Sequence, residues 1–343
     1  MTSAPAPPRA SDATRRGVFV VWGPAWKGAR SAVLARALGL PGALYVDADW
    51  RRGLRSDPMK YPRRILRTVS ALVRHRPPLL LVQSPPTPLS WLAALYSAIT
   101  GRPFLIDAHS DAFQRTRWLR PRRLNHVVWR RALAVTVTDE AWAATIRAAG
   151  ARPIVVPDIP TDDPAPASID LGDGLHVAVV NSGGRDEPLE ATLEAAALVP
   201  EVTFHVTGRT LGREAAVAAA PANVRFTGYL SSEAYSALLV SSDAVMCLTM
   251  RDHTMQRGAC EALSLGRPII TSDWPLLRSY FAAGTVHVDN SVPGIAAGVR
   301  RLVGDLDAYR AEVGELRTLR LTEWDERRRA ILLLIDDEVQ RRR

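Results

Sequence analysis

Only two cysteines, Cys247 and Cys260, occur in 343 residues, both in apolar or small-residue surroundings. A disulfide framework is therefore excluded, and a reducing cytoplasm is the expected setting. Long apolar runs are also missing. The longest, 79–99, is interrupted by QSPPTP, and the roughly dozen residues left from Leu89 onward are too few to span a bilayer. The opening MTSAPAPPRASDATRR lacks the apolar core of a secretion signal and reads as a disordered lead over residues 1–16. The seven histidines are scattered, so no metal cluster is expected. WGPAWKGARS stands where a Gly-x-Gly-x-x-Gly dinucleotide fingerprint would follow the first strand. No internal repeat is evident and no nucleic-acid-binding motif appears.

What is present is charge of one sign, unevenly placed. The net charge is +9, and residues before 166 hold 25 Lys/Arg against 11 Asp/Glu, while the remainder is slightly acidic. RRGLR (51–55), KYPRRILR (60–67), RHR (74–76) and RTRWLRPRR (115–123) carry the excess. With few aromatics interleaved, these clusters suit an anionic lipid surface better than nucleic acid. A solvated face in an Arg-rich chain is the alternative. The expected location is cytoplasmic, with peripheral attachment to the inner face of the cell membrane in view.

A length of 343 residues suits two domains. Apolar strand-like runs alternate with helical periodicity in both halves. In the first half they are VFVVWG (18–23), ALYVDAD (43–49), LLLVQS (79–84), PFLIDAHS (103–110), RALAVTVTD (131–139) and PIVVPD (153–158). After TDDPAPASIDLGDG (161–174), read as a linker, the pattern restarts with LHVAVVNSGG, TFHVTGR, VRFTGYL, DAVMCLT, PIITSD and TVHVDN. This grammar predicts two α/β, doubly wound parallel-sheet domains, 17–160 and 175–320. The helical segment 321–343 follows.

RDHTMQRGACEALSLGRPIITSDWP (251–275) carries the sharpest functional signal. It reads as a polar loop, a short helix bearing Glu261, a Gly-Arg-Pro turn and a buried strand. Such loops collect at the carboxyl ends of parallel strands, where ligands bind. The helix start offers the N–H groups of Gln256, Arg257 and Gly258 to an anion, Gly258 giving close approach and Arg257 a fixed charge. Glu261, one turn further in, is placed to accept from ribose hydroxyls. An ordinary helix, turn and strand is the competing reading. His109, directly after a strand in LIDAHSDAF, is the first-half candidate, with Asp107 or Asp111 setting its tautomer. Gly23, Lys27 and Arg30 occupy the first strand-to-helix loop.

The segment resembles the C-terminal signature of retaining glycosyltransferases of the GT-B fold (family 4, group 1 type), and the resemblance runs from about residue 17. In that family two acidic residues separated by seven positions hold the donor sugar and the ribose. Glu261 matches the second; His253 stands at the first. The resemblance implies two Rossmann-like domains facing a cleft, with the terminal helix crossing back onto the N-terminal domain. It implies a nucleoside diphosphate sugar as donor, no metal or other cofactor, and a glycan or lipid-linked acceptor in cell-envelope or polysaccharide synthesis. His109 and His253 then become the catalytic candidates on the sugar side. Donor binding falls to Glu261, Arg257, Gly258, Gln256, Met255, Thr254, Arg185, Gly184, Ser182 and Arg209. Gly23, Lys27 and Arg30 become the acceptor or phosphate loop. NSGGRDEPLE (181–190) supplies an Arg where the family has one, but no Lys follows. A nucleotide-sugar epimerase of similar architecture and a non-catalytic scaffold are the alternatives.

Overall fold

The computed structural model describes residues 12–23, 30–46, 59–163 and 166–342. They divide into two compact units, 1–159 with 324–343, and 160–323.

Unit 1 is built on six strands: β1 (Val18–Trp22), β2 (Ala43–Val46), β3 (Leu80–Ser84), β4 (Phe104–Ala108), β5 (Ala134–Val137) and β6 (Pro153–Val155). All are parallel, in the order β2-β1-β3-β4-β5-β6. The helices are α1 (Asp12–Arg15), α2 (Arg30–Ala37), α3 (Lys60–His75), α4 (Thr87–Thr100), α5 (Asp111–Gln114), α6 (Thr116–Leu119), α7 (Arg122–Arg131) and α8 (Glu140–Ala148). Successive strand residues point to opposite faces, and here both faces are covered. Val20, Val82, Ile106 and Val135 pack with Leu89, Trp129 and Ile146 on one side. Phe19, Leu81 and Leu105 pack with Leu34 on the other. Burial on both faces explains why these strands read as unbroken apolar runs.

Unit 2 repeats the plan with β7 (Leu175–Val179), β8 (Val202–Thr207), β9 (Val224–Gly228), β10 (Ala244–Cys247), β11 (Ile269–Ser272) and β12 (Thr285–Val288). Its parallel order is β12-β11-β10-β7-β8-β9. Helices α9 (Leu189–Ala197), α10 (Glu214–Ala218), α11 (Ser232–Ser241), α12 (Arg257–Ser264), α13 (Pro275–Tyr280) and α14 (Val292–Gly304) connect the strands. Among the described residues side-chain caps start three helices: Asp139 accepts from Ala141 N, Ser231 from Ala234 N and Ser291 from Gly294 N. The last helix, α15 (Leu306–Arg341), is shared. Val313 and Leu316 enter the core of unit 2, whereas Trp324, Ile331, Leu332 and Ile335 enter that of unit 1.

Two expectations need correction. Residues 12–15 of the anticipated disordered lead form α1, with Ala13 and Thr14 buried. The 161–174 stretch is not a bare tether, because its polar backbone finds partners on unit 2. Thr161 N bonds Ser264 Oγ, Ile169 N bonds Ser241 Oγ, and Leu171 packs on the core. The expected extension of the second strand to residue 49 lies outside the described residues, as does the basic RRGLR.

Candidate functional site

In unit 2 the chain runs β7, β8, β9 to one edge, then returns to place β10 against the other side of β7. The β7/β10 junction is the topological switch point, and ligands of open α/β sheets bind in the crevice at the carboxyl ends there. The loops leaving these two strands are tied together. Met250 N donates to Asp186 O at 2.7 Å, and Thr249 Oγ1 donates to the Asp186 carboxylate at 3.2 Å. Arg251 Nη2 lies 3.5 Å from the same carboxylate. The end of β8 joins them through Gly208, at φ +95°, where an added Cβ would stand 1.8 Å from Asn181 O. Only glycine permits that approach.

The first loop folds into an anion seat. The N–H groups of Ser182, Gly183 and Gly184 and the Ser182 hydroxyl all donate to one carboxylate, that of Glu187, at 2.8–3.1 Å. Consecutive backbone N–H groups converging in this way form a nest suited to a carboxylate or phosphate. Gly183 holds the positive φ of +91° that the curl requires. Arg213 stands beside it, donating to Asn181 Oδ1 at 2.6 Å. Arg185 and Arg209 are both exposed. Ser182 and Gly184 are thus part of the seat itself. Glu187, which in sequence only stands where the family's Lys would be, and Arg213, absent from the sequence reading, complete it; a Ser-Gly-Gly after a strand with an acid close behind was the available signal.

The second loop leads into α12. Glu261 is held from two sides: Arg257 Nε donates to Oε1 at 3.0 Å and the Tyr235 hydroxyl to Oε2 at 2.8 Å. Burial, and then the adjacent Glu261 carboxylate, push the Tyr235 phenol well above its usual range. Tyr235 therefore stays a proton donor, fixing the carboxylate by hydrogen bond.

The start of α12 departs from expectation in three respects. Gly258 does not open the backbone to a ligand, because an added Cβ would meet Val180 at 2.7 Å; the glycine serves close packing of α12 on the β7 exit. The Gln256 side chain turns inward, its Oε1 accepting from the buried Cys247 thiol at 3.3 Å. Burial, then Glu187, pushes this thiol up to about 12, so it is an inert proton donor and not a nucleophile. Met255 packs on the apolar core of the unit. Ahead of it, His253 adopts the left-handed backbone at φ +53°, its N–H donating to Asp252 Oδ1 at 2.6 Å and its ring Nε2 3.6 Å from Oδ2. Thr254 Oγ1 donates to Asp252 O.

In unit 1 the switch point lies between β1 and β3. Gly23 is followed by residues outside the description, Lys27 among them, and an added Cβ at Gly23 would meet nothing within 4 Å. Arg30 is corrected from loop cation to internal counterion. Its guanidinium donates to Asp107 Oδ1 at 3.3 Å and to the carbonyls of Val156 and Pro157. Asp107, buried at the end of β4, also accepts from Thr136 Oγ1 at 2.7 Å and from His109 Nε2 at 3.1 Å. Burial opposes its ionisation, but Arg30 and His109 more than offset this and hold the carboxyl well below the usual range. Asp107 therefore fixes the His109 ring through Nε2, as the sequence reading allowed, and leaves Nδ1 for other work.

Among the described residues no group of three His, Cys, Asp or Glu side chains is gathered to hold a metal ion. Of the two Asp-x-Asp spacings in the sequence, 47–49 lies outside the description. Asp305 and Asp307 lie at the junction of α14 and α15, where Asp307 pairs with Arg310 at 3.2 Å. Among the described residues no helix is long and apolar enough to cross a membrane.

Comparison with known proteins agrees with the fold. Sucrose-phosphate synthase from Thermosynechococcus elongatus superposes with a TM-score of 0.65 at 14% identity, over 94% of this chain and 99% of that one. The HepE protein of Anabaena, in complex with UDP and glucose, gives 0.67 at 13% identity, over 90% and 97%. UDP-GlcNAc 2-epimerase from Methanocaldococcus jannaschii gives 0.53 at 10% identity, over 83% and 92%. No curated protein matches. Residues 176–305 match the family described as Glycosyl transferases group 1. The second unit is thus similar to the group 1 glycosyl transferases, and the chain as a whole has the two-domain, Rossmann-like GT-B fold.

Proposed function

We propose that the protein is a retaining, metal-independent glycosyltransferase that moves a sugar from a nucleoside diphosphate donor to a glycan or lipid-linked acceptor. One observation carries the reading: the Ser182–Gly184 nest and the braced carboxylate of Glu261 serve the same switch point, at the ends of β7 and β10. In this reading the diphosphate takes the nest, with Arg185, Arg209 and Arg213 offsetting its charge as the leaving group departs. Glu261 accepts from the ribose hydroxyls, Tyr235 and Arg257 keeping it in place. His253 serves the sugar side, and His109 takes a positioning role in the transfer. The binding of UDP by HepE on a similar fold supports the donor class.

The test is a panel of labelled nucleotide sugars incubated with a membrane extract and either wild type or Glu261→Ala. Transfer by wild type alone supports the reading; equal transfer by both overturns it. A second reading, nucleotide-sugar epimerisation, is motivated by the likeness to a UDP-GlcNAc 2-epimerase. It predicts a new sugar isomer with no acceptor present. A scaffold without catalysis would bind no nucleoside diphosphate.

A further inference from the structure

Helix α3 faces the wrong way for an ordinary surface helix. Its buried arc consists of Arg64, Thr68 and Leu72, spaced at i, i+4 and i+8. Its apolar stripe of Ile65, Leu66, Val69 and Val73 is exposed, Leu66 to 67% and Val73 to 63%. The orientation is fixed from inside, because the Trp22 indole donates to Thr68 Oγ1 at 2.8 Å and Leu72 joins the core. Helical spacing of 3.6 residues sorts the outward surface into two arcs. Ile65, Val69, Val73 and Leu66 fill about 100°, and Arg63, Arg74 and Arg67 fill an arc of about 40° that begins about 60° further round.

The apolar arc does not end with α3. Leu95 and Ile99 of α4 are exposed to 56% and 75%. Between the helices runs a groove of about 500 Å³ lined by Val69, Val73, Leu92, Leu95, Tyr96 and Ile99 together with Arg76 and Arg102. A continuous apolar patch of this kind marks an interaction surface on an otherwise polar exterior.

We propose that the α3/α4 face of unit 1 docks on an anionic lipid bilayer. Charge complementarity selects this occupant. An apolar strip next to a parallel row of arginines matches the boundary between acyl chains and anionic headgroups, where an amphipathic helix lies in the interface plane. Arginine stems reach back along the apolar surface while their heads stay at headgroup level. A protein partner would find the same apolar strip but has no call for a one-signed row along its whole length. The inference goes beyond donor recognition and stands without it.

The experiment is co-sedimentation of the full chain with vesicles of phosphatidylcholine alone or mixed with phosphatidylglycerol. Wild type is expected on the mixed vesicles and largely absent from neutral ones, with binding lost at high salt. Leu66→Glu combined with Val73→Glu should reduce binding at least about tenfold, by charging the apolar strip that enters the bilayer. Arg67→Gln combined with Arg74→Gln should reduce it roughly 30-fold, from the two lost headgroup attractions. All four positions are exposed, so an unchanged melting temperature verifies folding. Equal binding to both vesicle types, or none to either, overturns the proposal. So does a dimer in light scattering that Leu66→Glu with Val73→Glu dissociates while vesicles capture nothing, since the face then belongs to a second copy.

Discussion

The carboxylate of Glu187 accepts the backbone N–H of Gly184 at 2.8 Å, filling with an internal acid a seat whose geometry suits a phosphate. An entering diphosphate must displace it. Glu187→Gln keeps the shape but removes the charge that competes for the nest, and charge-assisted bonds of this type are worth about 1.5–3 kcal/mol. Part of that is lost to loop loosening, so UDP should bind about tenfold more tightly. Isothermal titration of the two proteins decides it; unchanged or weaker binding would mean that Glu187 shapes the seat without competing for it.

Asp107 is the second test. Asp107→Asn leaves the largely covered Arg30 with no carboxylate, and breaking a buried pair costs about 3–5 kcal/mol. The folded-state carboxyl lies below its ordinary value of 3.8. Its stabilisation is therefore complete above about pH 4 and fades as the pH falls further. Melting temperatures of wild type and variant should differ most at neutral pH and converge in acid. A gap independent of pH would contradict the assignment.

His205 carries the opposite proton logic within unit 2. Burial, then the charge of His176 against which it rests at 3.1 Å, pulls the imidazole down to about 4. Between its ordinary 6.5 and that value the unfolded chain binds more protons than the folded one. Stability should fall as pH drops through this window, by up to about 1.4 kcal/mol per pH unit. His205→Gln should flatten that part of a denaturant-midpoint profile, and an unaltered slope would sink the attribution.

Ile331 measures what the last helix contributes to unit 1. It is fully buried among Leu34, Leu38 and Leu81, so Ile331→Ala should cost about 2–5 kcal/mol in urea unfolding. A loss below about 1 kcal/mol would be the range of exposed substitutions, and would show that the helix end adds little.

The parallel strands were legible because burial on both faces leaves unbroken apolar runs, as in Leu80–Val82 and Ile269–Thr271. That His109 directly follows a strand and that Glu261 sits on a short helix ahead of a buried strand was legible from the pattern. The nest was not: its shape depends on the φ of Gly183, and its occupant lies four residues further on. Tyr235, 26 residues before Glu261, carries no local signal. Gly258 was misread because its neighbour Val180 is distant in sequence. The orientation of α3 was hidden for a related reason. Periodicity shows that an apolar stripe exists, but the side that is covered is set by Trp22.

The most direct measurement is sugar transfer itself, followed with a labelled nucleoside diphosphate sugar and acceptor-containing membranes, comparing wild type with Glu261→Ala. Loss of a ribose-holding carboxylate should lower turnover per unit of donor by at least about 100-fold, on the order of 3 kcal/mol, with the melting temperature retained. Equal rates for the two proteins would contradict the assignment of the β7/β10 switch point as the donor site.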